Sequence, residues 1–341
     1  QAPGGRLYAT PEHGRTERVL LAATGDTPGV AVHPLVAQRF IDGLRESGIE
    51  LGVDQAAAVR GILTSGARVE TLVGPAGTGK SFVVGALAKA WVDPVHVADG
   101  VERRVFGLAT SQIATEVLVA EGLTARNVAA WLATQRRLDA APAEQRDGDQ
   151  AWRLRGGDLV VVDESAMTDT PALAAIHSRV HKVGAKLLLV GDHRQLAAGG
   201  AGGGMDLIAG TGARYELTDA RRFSDEWERA ASLRLRSGDE TVLRDYFQHG
   251  RLLDSGAVEQ AEPSASRAWL ADPVAGKRSL LLVDTNDQAA CLSAALRAEL
   301  VRLGRVAEDG GALGRQGTYA GVGGLVQARA NGWGLPCGEG D

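Results

Sequence analysis

Residues 69–82 read VETLVGPAGTGKSF, an apolar run from Val69 to Val73 followed by Gly74, Pro75, Ala76, Gly77, Thr78, Gly79, Lys80 and Ser81, which fits G-x-x-x-x-G-K-[ST]. The apolar run predicts a buried strand, and Ser81 to Trp91 predicts a helix. Strand, glycine loop and helix in this order predict a phosphate-binding loop. Backbone N–H groups wrap phosphate oxygens there and the helix N-terminus adds its positive dipole. Lys80 reaches the β- and γ-phosphates, and the Ser81 hydroxyl ligates magnesium. A dinucleotide fingerprint fails because Phe82 stands where its third glycine belongs. Gly74 to Phe82 is therefore the expected nucleotide-contacting stretch.

Outward from the loop, apolar strands recur at Val105 to Ala109, Leu159 to Val162 and Lys186 to Val190, alternating with helical patterns at Gln112 to Ala120, Val128 to Leu138 and Pro171 to Val183. Such alternation indicates an α/β fold whose parallel sheet is covered on both faces. A helix over Gln55 to Leu63 precedes the loop. Residues 1–53, punctuated by proline and glycine around a short helix at Glu17 to Ala23, read as an accessory lead-in. Past a glycine-rich linker, Gly199 to Gly204, a further αβ stretch has strands at Tyr215 to Leu217 and Leu280 to Val283. Its helices are expected at Glu226 to Arg236, Glu240 to His249 and Asp287 to Leu303. The expected boundaries are 1–53, 54–211 and 212–341.

Two further strand ends carry chemistry. Leu159 to Val162 delivers Asp163 and Glu164 to the carboxyl end of a buried strand, where open α/β sheets bind their ligands. Asp163 is expected to hold magnesium through water, and Glu164 to orient and deprotonate the water that attacks the γ-phosphate. Asp169 or Thr170 is the better cap for the following helix. Lys186 to Val190 runs into Gly191-Asp192-His193-Arg194-Gln195, and the Gln195 amide, which donates and accepts at once, suits a sensor of the terminal phosphate.

Composition narrows the classes. With 341 residues, about two domains fit. Hydrophobic residues make up 44% and charged residues 23%, and no apolar run approaches the ~18 residues of a membrane span, so no membrane partner is expected. Cys291 and Cys337 build neither a disulfide framework nor a zinc finger, and a reducing, cytoplasmic setting is the expectation. His177 and His181 share a helical spacing, but Ser178 stands where a zincin's glutamate belongs, and a solvated helix face is expected. The net charge of −5 argues against a broad basic surface that coats nucleic acid. It leaves open a motor that grips one strand in a narrow groove.

Taken together and in order, Gln55, GPAGTGKS, Ala109-Thr110-Ser111, VVDESA, VGDHRQL and ARRFSDEWERAASLRLRSGD resemble the helicase motifs of superfamily 1B. Within it the likeness is to the motor region of MobF-type conjugative relaxase-helicases, with RecD-like helicases one remove away. The resemblance covers about residues 54 to 330. It implies a RecA-like domain over 54–211 and the first part of a second RecA-like domain over 212–341. It implies a Gln55 that reads the adenine edge, an Arg222 that reaches the γ-phosphate, and Thr110 and Ser111 along the backbone of single-stranded DNA. ATP-driven closure of a cleft between the two domains and 5′ to 3′ tracking come with it.

The same resemblance exposes departures. A motif of the T-x-H-x-x-Q-G type, a later arginine finger and a relaxase metal site are all missing from these residues, so the chain resembles a fragment of a larger polypeptide. Alternatives from other classes stay open: a RecD-like repair helicase, a truncated nucleotide-binding module without motor activity, and a metabolic kinase, for which an acceptor pocket would be required.

Overall fold

The computed structural model describes residues 9–93, 102–140, 146–195, 203–277, 279–313 and 318–324. Residues 199–202 of the glycine linker and residues 325–330 at the end of the family resemblance lie outside the described residues. The chain divides into two compact units, one ending at Tyr246 and the other starting at Phe247.

In the first unit, β1 (Val69–Val73), β2 (Val105–Ala109), β3 (Thr124–Asn127), β4 (Leu159–Val162), β5 (Lys186–Gly191) and β6 (Ala213–Glu216) form one sheet in the order β3-β2-β4-β5-β1-β6. Every pairing is parallel, as the alternation of strands and helices requires. Successive strand side chains point to opposite faces, so each face has its own core. Leu72, Val161, Leu188 and Val190 pack with Ile62 and Leu63 of α3 (Val53–Thr64), Leu87 and Trp91 of α4 (Lys80–Val92) and Leu118 of α5 (Gln112–Ala120). Val69, Val73, Val160, Val162, Leu187 and Leu189 pack on the other face. Their partners are Trp131 of α6 (Val128–Asp139), Ile176 of α7 (Thr170–Val183) and Ile208 of α8 (Gly204–Thr211). Each such side chain contributes about 1.5–3 kcal/mol by leaving water. That burial holds the carboxyl ends of β1, β4 and β5 side by side.

A charged pair lies buried within the sheet. Lys186 Nζ lies 2.8 Å from Glu70 Oε2 between β5 and β1, with neither side chain exposed. The ammonium also donates to the carbonyls of Ile62 at 2.7 Å and Ser65 at 2.9 Å, and Tyr215 Oη lies 3.1 Å from Glu70 Oε1.

The lead-in expected over 1–53 is part of the first unit. α1 (Pro11–Ala23), capped by Thr10, buries Leu20 and Ala23 against α7 and α8, and α2 (Pro34–Glu46) buries Ala37 and Leu44 against α3. The boundary at 211/212 also moves, because β6 pairs with β1 and so completes the first sheet. His177 is 6% exposed within the α7 core rather than on a solvated face; His181 is the solvent-facing one and pairs with Asp26 at 3.2 Å.

The second unit departs further from expectation. Residues 280–283 form no strand, and Leu280 and Leu282 are 82% and 80% exposed. An apolar run becomes a strand only where a neighbour takes its backbone hydrogen bonds, and among the described residues none does. This unit's described elements are α11 (Val258–Val274), α12 (Asn286–Arg302) and the antiparallel pair β7 (Gly310–Leu313) and β8 (Thr318–Gly321). Gln288 Nε2 donates to Glu262 at 2.9 Å and ties the two helices. Residues 240–249 form a 3-10 turn, Glu240–Val242, and a short α10 (Leu243–Gln248), not one helix.

Candidate nucleotide site

The loop after β1 turns through two left-handed glycines, Gly77 at φ +83° and Gly79 at φ +82°. A side chain is excluded at both: a Cβ on Gly77 would lie 2.3 Å from Arg222 Cβ, and one on Gly79 would lie 2.5 Å from Gln55 Nε2. The loop is closed from within by the Thr78 hydroxyl, which donates to the Pro75 carbonyl at 3.0 Å. It is anchored to β5 by Gly74 N, 3.1 Å from Gly191 O. Lys80 and Ser81 then open α4. Lys80 Nζ donates to the carbonyls of Gly74 at 2.7 Å and Pro75 at 3.0 Å, so the ammonium spans the mouth of the loop. Ala76 and Phe82 lie at its exposed rim.

Asp163 and Glu164 follow β4. Asp163 is 7% exposed and its Oδ1 accepts from Glu164 N at 2.9 Å. Burial pushes its carboxyl above the usual range, opposed by that N–H and by Lys80. Glu164 is raised as well, first by burial and then by the Asp163 charge, with Lys80 opposing. Its φ of +49° is the sole positive value on a non-glycine among the described residues. A glutamate held in the left-handed region costs of order 1–3 kcal/mol and is a mark of functional positions. At the end of β5, Asp192 N-caps the next turn by accepting from Arg194 N at 3.1 Å, and its carbonyl accepts from the exposed Gln195 N at 3.0 Å. Asp169, as the sequence suggested, caps α7 through Ala172 N.

A third wall comes from the segment after β6. Leu217 N donates to Val73 O and Arg221 N to Gly77 O. The Arg221 guanidinium donates to Thr78 O at 3.0 Å and to Asp54 Oδ1 at 2.7 Å. Arg222 therefore lies directly beside the loop. Gln55 is 2% exposed; its Oε1 accepts from Gly52 N and its Nε2 donates to Thr78 O, both at 3.0 Å. Its amide thus clasps the phosphate loop to α3. Burial pushes the Lys80 ammonium below its usual value; Asp163 and Asp192 oppose that, and Arg236 and Arg222 add to it. These five charged groups share one neighbourhood.

Residues 50–256, more than half of the chain, match the AAA domain family. The chain belongs to that family. Relatives at the level of individual proteins are conjugal transfer proteins named TraA. The "Probable conjugal transfer protein TraA" of Sinorhizobium fredii is 28% identical over 292 residues, covering 81% of this chain and 25% of the relative. The TraA proteins of Rhizobium radiobacter and Agrobacterium fabrum are 28% and 29% identical over 266 residues, covering 76% of this chain and 22% of each relative. The chain thus spans about a quarter of the length of the curated relatives it matches.

For an AAA domain the donors are apt. A wrapped loop, a lysine and a helix N-terminus suit a nucleotide's phosphates. The Ser81 hydroxyl and the buried Asp163 carboxylate are the hard oxygen donors that a magnesium ion, keeping most of its waters, uses. No group of three or more His, Cys, Asp or Glu side chains placed to hold a metal ion occurs among the described residues, and no described helix is long and apolar enough to cross a membrane. Thr110 lies apart, at the end of β2. It lines a cavity of about 360 Å³ with Asn127, Arg136, Met167 and Asp169, and Asn127 Nδ2 donates to its carbonyl at 2.7 Å. The Ser111 hydroxyl is engaged as the α5 N-cap, accepting from Ala114 N at 3.1 Å.

Four residues of this AAA domain escaped the sequence reading: Asp54, Asp192, Arg221 and Arg236. Asp54 and Arg221 adjoin residues that were singled out, and Asp192 stands within the GDHRQ turn. Arg236 stands within the quoted stretch ARRFSDEWERAASLRLRSGD, where nothing in its spacing sets it apart from Arg229 and Arg234.

Proposed function

We propose that the chain binds ATP with magnesium, hydrolyses it, and is part of a motor that moves 5′ to 3′ along single-stranded DNA during conjugative transfer. The observation that carries the reading is the convergence of Lys80, Asp163, Glu164 and the Gly191–Gln195 turn on one phosphate loop, at the adjacent carboxyl ends of β1, β4 and β5.

Lys80 would exchange the Gly74 and Pro75 carbonyls for β- and γ-phosphate oxygens, which bear formal charge and outcompete neutral acceptors. Ser81 and Asp163 would hold magnesium, which neutralises charge that builds on the phosphates. Glu164, raised by burial and by Asp163, is a stronger base than an ordinary glutamate. It would accept the proton of the water whose oxygen bonds the γ-phosphorus as the bond to the β-phosphate oxygen breaks. Gln195 and Arg222 would contact the terminal phosphate. The amide, guanidinium and thioether around Thr110 offer a phosphate contact and an apolar platform, the combination a single strand needs. Residues 247–341 would begin the second RecA-like domain, and unwinding would require the longer polypeptide.

The test compares the parent chain with Glu164→Gln. The variant is expected to bind magnesium-ATP as the parent does and to lose turnover. Hydrolysis by Glu164→Gln at the parent rate would contradict the assignment. Hydrolysis that is faster with single-stranded than with duplex DNA, in a protein of the relatives' length, supports the motor reading. Indifference to DNA there favours a nucleotide-binding module without motor activity.

A further inference from the structure

Arg236 closes α9 (Glu226–Arg236) and reaches back 44 positions to the end of β5. Its Nε donates to Asp192 Oδ2 at 2.8 Å and its Nη2 to Oδ1 at 2.5 Å, and the Asp192 side chain is 1% exposed. Among the residues of α9 only Ala231 is buried, so apolar packing does little to anchor the helix and the forked ion pair carries much of that task. Asp192 is also the residue around which the Gly191–Gln195 turn is folded: its carboxylate accepts from Arg194 N and its carbonyl from Gln195 N. The segment that leads into α9 is pinned at its other end, where Arg221 N donates to Gly77 O. One stretch of chain thus touches the phosphate loop at its start and the GDHRQ turn at its end, with Arg222 between.

Resting on the hydrolysis reading above, we propose that Arg236 is a positioning residue for that reaction, which by gripping Asp192 sets the Gly191–Gln195 turn so that Gln195 meets the terminal phosphate. The planar guanidinium fixes both carboxylate oxygens, which a lysine, as a point charge on a flexible stem, does not reproduce. Asp192 bears this out: burial would raise its carboxyl, yet the Arg236 fork, Arg194 N–H and the charges of Arg236 and Lys80 hold it below the usual range.

A residue that merely anchored α9 would alter stability and would weaken ATP and ADP alike. A residue that aims Gln195 acts on the terminal phosphate alone. The experiment is calorimetry of magnesium-ADP and of a non-hydrolysable magnesium-ATP analogue. The proteins are the parent chain, Arg236→Ala, Arg236→Lys, Gln195→Ala and the Arg236→Ala/Gln195→Ala double variant. Arg236→Ala is expected to lower the preference for the triphosphate by on the order of tenfold, with ADP affinity held. Gln195→Ala should do the same, and the double variant no more than either, because the two act as one unit. If Arg236→Ala does not fold, Arg236→Lys, which keeps the charge and loses the fork, is expected to show the same loss. An unchanged preference in a folded variant, or losses that add in the double variant, would overturn the inference and leave the hydrolysis reading standing. A parent chain that binds neither nucleotide would overturn both.

Discussion

Gln55 Nε2 donates to the Thr78 carbonyl at 3.0 Å, so α3 and the phosphate loop are joined by a buried side chain. Its Oε1 simultaneously accepts from Gly52 N. Gln55→Ala leaves the Gly52 N–H without its acceptor and leaves the Thr78 carbonyl to Arg221 alone, and an unpaired group costs about 1–3 kcal/mol when it stays dry. The expected outcome is a lower midpoint in chemical denaturation together with weaker nucleotide binding. Loss of base selectivity with stability untouched would instead assign Gln55 to the adenine alone.

Gly77→Ala tests the close approach of Arg222. The new Cβ collides with Arg222 and the backbone must hold φ +83°, a conformation that costs an alanine about 1–2 kcal/mol. The fold, measured by circular dichroism, is expected to persist while nucleotide affinity collapses, since the loop and the arginine segment separate.

The pair Glu70 and Lys186 predicts a second pattern. Lys186→Met leaves the Glu70 carboxylate buried without its cation, which costs about 3–5 kcal/mol. Replacing both, as Glu70→Gln with Lys186→Met, is expected to recover much of that loss. A loss in the double variant equal to the sum of the two single losses would show that the two groups act independently.

His177 gives a pH dependence. Burial, then the neighbouring His181 charge, pushes its imidazole below the ordinary value of 6.5, with Asp26 opposing; the two histidine rings lie 5.6 Å apart. Because the unfolded chain takes up this proton more readily, stability is fully present above about pH 6.5. It falls as pH drops below that value, with a slope approaching about 1.4 kcal/mol per pH unit. The stability difference between the parent and His177→Leu, read from denaturation midpoints, is expected to shift against the parent as pH falls from 7.5 to 5.5, and a difference that does not change with pH would contradict this assignment.

Much of this was legible in the residues. β1, β2, β4, α5 and α9 fall at the sequence-derived bounds, because uninterrupted apolar runs or clear amphipathic spacing end at polar or glycine positions. β3, Thr124–Asn127, carries no apolar run and pairs along one edge alone, so periodicity is silent there. α11 was hidden by Pro263 and Pro273, which ordinarily end a helix. The phosphate loop and the paired acids were readable because local spacing sets their chemistry. The Arg236–Asp192 fork and the Gln55 clasp were not, because they join residues 44 and 23 positions apart through helix packing that no local spacing records.

The central claim is that the loop from Gly74 to Ser81 holds the phosphates of ATP through Lys80. Isothermal calorimetry of magnesium-ATP against the parent chain and Lys80→Ala tests it most directly. The account predicts binding by the parent and an affinity reduced about a hundredfold in the variant, with the melting temperature not lowered. Equal affinity in a folded Lys80→Ala protein would contradict it.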